Sequence, residues 1–239
     1  MSKPTVGTTK LALVGYGKMG RLLEKMAPSL GFEVALKLDE FNNVDGAGIT
    51  SENFEDISAA IDFSIPQIVP ANAEKIAGLG VNLVIGTTGW LEELSRVKLA
   101  VEENQTGLVY GANFSVGVLA FYGIVEAAAK ILATQSNYDA WAYEVHHKMK
   151  QDSPSGTMLR ILDVIKQVDY DRDIDLATNR VGSMPGTHEV GFDSEADTIR
   201  LSHTARSRTG FALGALKAAR WVVNKRGLYE FSSIWEQVG

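Results

Sequence analysis

Residues 11–30 constrain the fold more than any other stretch of the sequence. Leu11-Ala12-Leu13-Val14 is apolar at every position, Gly15-Tyr16-Gly17-Lys18-Met19-Gly20 follows at once, and a helical pattern then runs from Met19 to about Leu30. A strand that is apolar throughout is covered on both faces, as in a parallel sheet. Glycines at such a turn permit a tight bend and close approach of the backbone to a pyrophosphate, and a helix N-terminus supplies free N–H groups and a positive dipole end. The bare glycine pattern also occurs in ordinary surface turns; here the strand–turn–helix context favours dinucleotide binding. Gly15, Tyr16, Gly17, Lys18, Met19 and Gly20 are therefore candidate cofactor residues.

The alternation continues. Glu33–Leu38, Ala59–Phe63, Val81–Ile85 and Leu108–Tyr110 read as further strands, with helical patterns at Ile68–Leu79 and Leu91–Glu103. Repeated strand–helix units imply a doubly wound parallel sheet of Rossmann type. Asp39 stands 19 positions after Gly20, near the offset expected of a carboxylate that bonds a ribose hydroxyl. Asp39 and Glu40 would repel a 2′-phosphate, and no arginine follows them. Lys37 is the only nearby cation in the sequence, so NADH is expected to serve at least as well as NADPH. Gly86-Thr87-Thr88-Gly89 and Gly111-Ala112-Asn113-Phe114 close two strands at the ligand-binding edge of such a sheet. Each could line a nicotinamide pocket, and each reads equally well as an ordinary turn.

After Asn113 the pattern changes. A helix-like Ser115–Ala133 is followed by Tyr138–His147, where Trp141, Tyr143 and Val145 alternate with small or polar neighbours and so read as the core-facing side of a half-buried strand. Apolar residues at helical spacing run from Met158 to Val168, and three strand-like stretches lie near 177–181, 188–192 and 198–204. The expected architecture is a dinucleotide domain of residues 1–113 and 209–239. An α+β insert, 114–208, built on an open mixed sheet, would serve substrate binding and oligomerisation. A final helix, Phe211 to about Arg226, ends at Gly227 and packs back on the first domain.

The densest polar cluster is Glu144 to Thr157. Adjacent His146 and His147 on a strand point to opposite faces and are poor joint ligands for one ion, so no metal is expected. Lys148 and Lys150 bring positive charge, and Ser155-Gly156-Thr157 opens a helix whose N–H groups would seat a carboxylate. That local charge contrasts with the whole chain, whose 23 basic and 29 acidic residues give a net charge of −6. Such a balance offers no field for nucleic acid or anionic membrane. The absence of cysteine removes disulfides, thiolate metal sites and a thiol nucleophile. No unbroken apolar run approaches the roughly 18 residues of a membrane span, and Met1–Lys10 lacks a signal-peptide pattern. The expectation is a cytoplasmic protein.

Over almost its whole length the chain resembles the 4-hydroxy-tetrahydrodipicolinate reductase (dihydrodipicolinate reductase) family. The resemblance rests on Gly17-Lys18-Met19-Gly20, Asp62-Phe63-Ser64 with Pro66, Gly86-Thr87-Thr88-Gly89, Asn113-Phe114-Ser115-Val116-Gly117, Glu144 to Thr157, Gly186-Thr187-His188-Glu189-Val190 and His203 to Arg208. It implies an NADH- or NADPH-dependent reduction of a small cyclic imine dicarboxylate in lysine and diaminopimelate biosynthesis. It also implies that His146 is the catalytic histidine, that Lys150 donates a proton, and that His147, Gly156 and Thr157 bind substrate. Met149 stands where the family pattern has a third histidine. A homotetramer is likewise implied, and the insert's sheet has a second face that needs cover. Two other readings compete: a non-catalytic NAD(P)-sensing protein of the same fold, and another two-domain dehydrogenase of an amino-acid pathway.

Overall fold

The first strand, β1 (Thr9–Val14), has Leu11, Ala12, Leu13 and Val14 all buried, with alternate residues serving opposite faces of the sheet. The computed structural model describes residues 9–238. Helix α1 (Lys18–Met26) is shorter than its apolar pattern predicts. Pro28 has no N–H to continue the α-helical bonding, so Ala27–Leu30 tightens into a 3-10 turn, closed by Gly31 at φ +73°. There follow β2 (Phe32–Leu38), β3 (Ala59–Asp62), α2 (Val69–Gly78), β4 (Asn82–Ile85), α3 (Leu94–Glu103) and β5 (Gly107–Tyr110). Ala12, Val14, Ala60, Leu83, Ile85 and Leu108 form one core with Ala73, Ile76, Val97 and Val101 from α2 and α3.

The second unit, Val116–Arg208, begins with α4 (Val116–Ala133). Its 18 residues have a mean hydropathy of 1.8, enough by length and composition for a membrane span. The helix nevertheless carries Glu126 and Lys130 and buries Phe121, Val125, Ala129 and Leu132 in the unit's own core. Next come β6 (Asp139–His146), α5 (Gly156–Lys166), β7 (Ile174–Arg180), β8 (Thr187–Asp193) and β9 (Thr198–Thr204). The sheet order is β7-β6-β8-β9; β6 pairs with β7 in parallel and with β8 antiparallel, and β8 pairs antiparallel with β9, so this is an open mixed sheet.

The phase of β6 is opposite to the expected one. Ala140 and Ala142 join Val190 and Phe192 in the core against Phe121, Met158, Ile161 and Ile165, while Trp141 and Tyr143 lie half-buried on the other side; Val145, on the same side as these two, is buried as expected. The helices supply the bulk, so the strand beneath them contributes alanine.

The chain then returns to the first unit through α6 (Thr209–Val222), β10 (Gly227–Glu230) and α7 (Phe231–Ile234). The last long helix ends at Val222, earlier than the sequence suggests, and Gly227 opens a strand instead of merely ending a helix. The strand is short, and the bond from Gly227 N to Thr106 O (2.8 Å) joins it to the start of β5. The completed sheet, β10-β5-β4-β3-β1-β2, is parallel throughout.

Candidate active site

Because all six strands run the same way, the turns after β1 to β5 share one edge, and the order reverses direction at β1, between β2 and β3. Such a switch point is where open α/β sheets take ligands. Gly15 sits there at φ +88°, and a Cβ would fall 2.3 Å from Phe63 O. A Cβ on Gly20 would fall 2.6 Å from Gly15 O, so this position too is closed to any side chain. At Gly17, by contrast, no atom lies within 4 Å of the Cβ position. Gly17 is the N-cap of α1 and has no side-chain cap, and the first helical bond runs from Arg21 N to Gly17 O (3.1 Å). The N–H groups of Lys18, Met19 and Gly20 therefore lack intrahelical acceptors. A closed turn with an open mouth beside free N–H groups fits a dinucleotide phosphate.

The surrounding side chains form a charged cluster. The Tyr16 hydroxyl donates to Glu24, Lys37 Nζ donates to Glu24 Oε1 (3.0 Å), and Lys37 and Arg21 lie 5.3 and 5.6 Å from the Tyr16 ring centre. Arg21 is thus a second nearby cation, one helical turn beyond Gly17, that the reading of the β2 end alone overlooks. Asp39 Oδ1 accepts from Phe41 N (2.9 Å) and Asn42 N (3.2 Å), which shapes the turn after β2.

Buried Asp62, at the end of β3, organises the next two turns. Its carboxylate accepts from Ser64 N (2.8 Å), Ser64 Oγ (2.6 Å), Asn72 Nδ2 (3.1 Å) and Thr87 Oγ1 (3.2 Å). Gly86 lies against the Phe63 ring, Thr87 is buried, and Thr88 is exposed. After β5, Gly111 is buried, Ala112 is exposed, and Asn113 Oδ1 accepts from Ser115 N (2.8 Å). The Phe114 ring packs on Phe231 with centroids 4.5 Å apart, so its side chain is part of the core.

The second unit gathers its chemistry at the C-terminal end of β6. Glu144 and His146 are two residues apart and share a face, and the register sets Glu144 opposite His188 on β8. Glu144 is wholly buried. Its Oε1 accepts from Ser155 N (3.0 Å) and Arg180 Nη2 (2.7 Å), and its Oε2 accepts from the Ser155 hydroxyl. Burial pushes this carboxyl up, but the bonds from Ser155 and Arg180 outweigh it and hold Glu144 below the usual carboxylate range. Ser155, a predicted substrate residue, has its hydroxyl committed to Glu144 and, as N-cap of α5, accepts from Met158 N (3.1 Å).

Burial pushes the His146 imidazole below its ordinary value and takes His188 to about 4. His147 is half-buried, and its Nδ1 has no hydrogen-bond partner among the described residues. The turn after β6 carries Lys150, whose N–H bonds His147 O (3.0 Å). Lys150 Nζ contacts Asp152 at 2.7 and 2.9 Å, which holds the Asp152 carboxyl below its ordinary range, and the Gly156 N–H also serves that carboxylate. Exposed Gly156 and half-buried Thr157 form the first turn of α5, and the Thr157 side chain bonds Tyr122.

Glu144, His146 and His188 offer ligand atoms within 4.8 Å of one another. Their chemistry does not fit a cation: Arg180 already neutralises the carboxylate, and Ser155 bonds both of its oxygens. The sequence reading assigns no role to Glu144, Arg180 or His188. The i, i+2 spacing of Glu144 and His146 was visible; their pairing with His188 needs the β6–β8 register.

Comparison with known proteins identifies the family of the chain. Residues 9–114 match the family described as dihydrodipicolinate reductase, N-terminus, and residues 117–234 match its C-terminus. A 4-hydroxy-tetrahydrodipicolinate reductase of Christiangramia forsetii is 32% identical over 94% of this chain and 96% of its own length. One of Archaeoglobus fulgidus is 36% identical over 92% and 96%. A dipicolinate-bound dihydrodipicolinate reductase from Paenisporosarcina sp. TG-14 shares the fold with a TM-score of 0.76 at 20% identity, covering 95% of this chain and 99% of that one.

Proposed function

The chain belongs to the dihydrodipicolinate reductase family, and from that premise we propose that it reduces 4-hydroxy-tetrahydrodipicolinate to tetrahydrodipicolinate for diaminopimelate and lysine synthesis, with His146 and Lys150 as the proton-handling pair. NADH or NADPH, held by Gly15, Tyr16, Gly17, Lys18, Met19 and Gly20 with Asp39 on the ribose, supplies the hydride when bound. The turns Gly86–Thr88 and Gly111–Phe114 complete that cofactor edge. In net terms a hydride replaces the ring hydroxyl, which takes up one proton and leaves as water, so each turnover needs a proton donor.

The observation that carries this reading is the β6–α5 turn, in which the Lys150 backbone N–H bonds His147 O and its ammonium meets Asp152, a carboxylate that the Gly156 N–H at the start of α5 also serves. A substrate carboxylate takes the place of the Asp152 carboxylate against Lys150 and the N–H groups of Gly156 and Thr157. His147 Nδ1 supplies a further polar contact. Lys150, released from Asp152, gives up its proton, and His146 tunes that transfer. The decisive assay generates the substrate from pyruvate and aspartate semialdehyde and follows oxidation of NADH and NADPH side by side. Absence of turnover with both would contradict the assignment.

The expected preference is a few-fold bias toward NADH. Lys37 is held by Glu24, and a single exposed charge contact is worth only about 1 kcal/mol, so NADPH is disfavoured without being excluded. Asp39→Ala should lower catalytic efficiency mainly with NADH; equal losses with both cofactors would leave Asp39 a turn-shaping role only.

The protein acts in the cytoplasm as a homotetramer. The half-buried Trp141 and Tyr143 face, away from α4 and α5, is the surface a partner subunit covers. Light scattering should give about four times the chain mass of 25.9 kDa, and a monomer would contradict this.

A further inference from the structure

We propose that Glu144 is a positioning residue for proton transfer, holding His146 through Nδ1 while Ser155 directs the His188 proton away from it. This rests on the reading above that His146 takes part in the reaction. Glu144 Oε1 is filled by Ser155 N and Arg180, and Oε2 takes the Ser155 hydroxyl. That hydroxyl has one proton, which goes to the carboxylate, and two lone pairs, one of which accepts Met158 N–H. His188 Nε2 stands 3.1 Å from the same oxygen. With the hydroxyl proton already committed, His188 Nε2 must be the donor, so neutral His188 carries its proton on Nε2.

Glu144 Oε2 lies 3.6 Å from His188 Nε2, whose proton goes to the nearer Ser155 oxygen, and 3.7 Å from His146 Nδ1, too far for a bond at rest and within reach of a small shift. Nδ1 has no other partner among the described residues. An imidazole with its Nδ1–H on a buried carboxylate leaves Nε2 for proton transfer, and the carboxylate stabilises the ring when it becomes charged. The charged groups around His146 come from every neighbouring element. Glu144 on β6 and Asp152 favour the imidazolium, whereas Lys150 and Arg180 on β7 oppose it. His188 on β8, with His203 across from it on β9, adds no charge while it is neutral.

Three measurements test this. Nitrogen-15 NMR of the wild-type protein should show neutral His146 protonated on Nδ1 and His188 on Nε2; a His146 proton on Nε2 would overturn the proposal. In E144Q the His146 titration midpoint should fall by about one unit or more, as expected on loss of an adjacent opposite charge. E144D should restore most of that shift. The acid limb of the kcat/KM profile should move with it, while NADH affinity stays constant. The double variant E144Q/R180M gives the same reading without an isolated buried guanidinium, and an unmoved midpoint in either variant would refute the proposal. Failure of the underlying reading looks different: H146Q would retain turnover, whatever the wild-type tautomer.

Discussion

Asp62 and Glu144 are both fully buried carboxylates near the ends of inner strands, yet they are tuned in opposite directions. The donors to Asp62 are all neutral, namely Ser64, Asn72 and Thr87, and burial wins, raising its pKa. Glu144 has Ser155 and the guanidinium of Arg180, which together overcome burial and keep it ionised. Neutral hydrogen bonds thus suffice to build a turn, whereas a lasting buried charge needs a cation beside it. In the first unit the carboxyl shapes turns. In the second, the protein supplies the charge itself.

Breaking the pair in the second unit should have the largest effect. Glu144→Ala strands the Arg180 guanidinium, 17% exposed, together with Ser155. It should cost about 3–5 kcal/mol in urea unfolding, the usual penalty for orphaning one member of a buried pair. A loss under about 1 kcal/mol would mean that water replaces the carboxylate freely.

Acid should produce a somewhat smaller effect with a definite sign. His188 has a folded pKa of about 4, below its ordinary 6.5. Between these values the unfolded chain binds the proton more tightly, so stability is full above pH 6.5 and declines as pH falls toward 4. The limit is about 3 kcal/mol, from roughly 1.4 kcal/mol per unit. His188→Gln should flatten that slope. Glu144, depressed by its partners, loses its own contribution at lower pH still. Asp62 works the other way: with its folded pKa raised, its ionisation lowers stability as pH rises through that value.

The smallest effect belongs to Asp62→Asn. The amide oxygen can keep the Ser64 and Thr87 bonds, and the Asn72 amide can turn to accept. Stability at neutral pH should change by less than about 1 kcal/mol. A change as large as that of Glu144→Ala would erase the distinction between the two carboxyls.

What the sequence makes legible follows the same division. The β1–Gly15–α1 unit and the parallel strands were legible because continuous apolar runs and glycine turns are local signals. β10 was not, since four residues carry little periodicity and Gly227 reads equally well as a helix stop. Trp141 and Tyr143 were assigned to the core because aromatic alternation usually marks the buried face; the bulk of Met158 and Ile161 instead left room only for Ala140 and Ala142. The cluster from Glu144 to Thr157 was visible as a string, and Lys150 stood out in it. The network of Glu144, Arg180 and His188 was hidden, because it exists only through the pairing of β6 with β7 and β8.

The central claim is that Lys150 supplies the proton for a reductase whose cofactor is held by the other unit. Lys150→Met measured by steady-state turnover and by NADH binding tests it most directly. The account predicts a fall in kcat on the order of 10²-fold, the scale of a positioned acid, with the Kd for NADH unchanged. Near-normal turnover in that variant would contradict it.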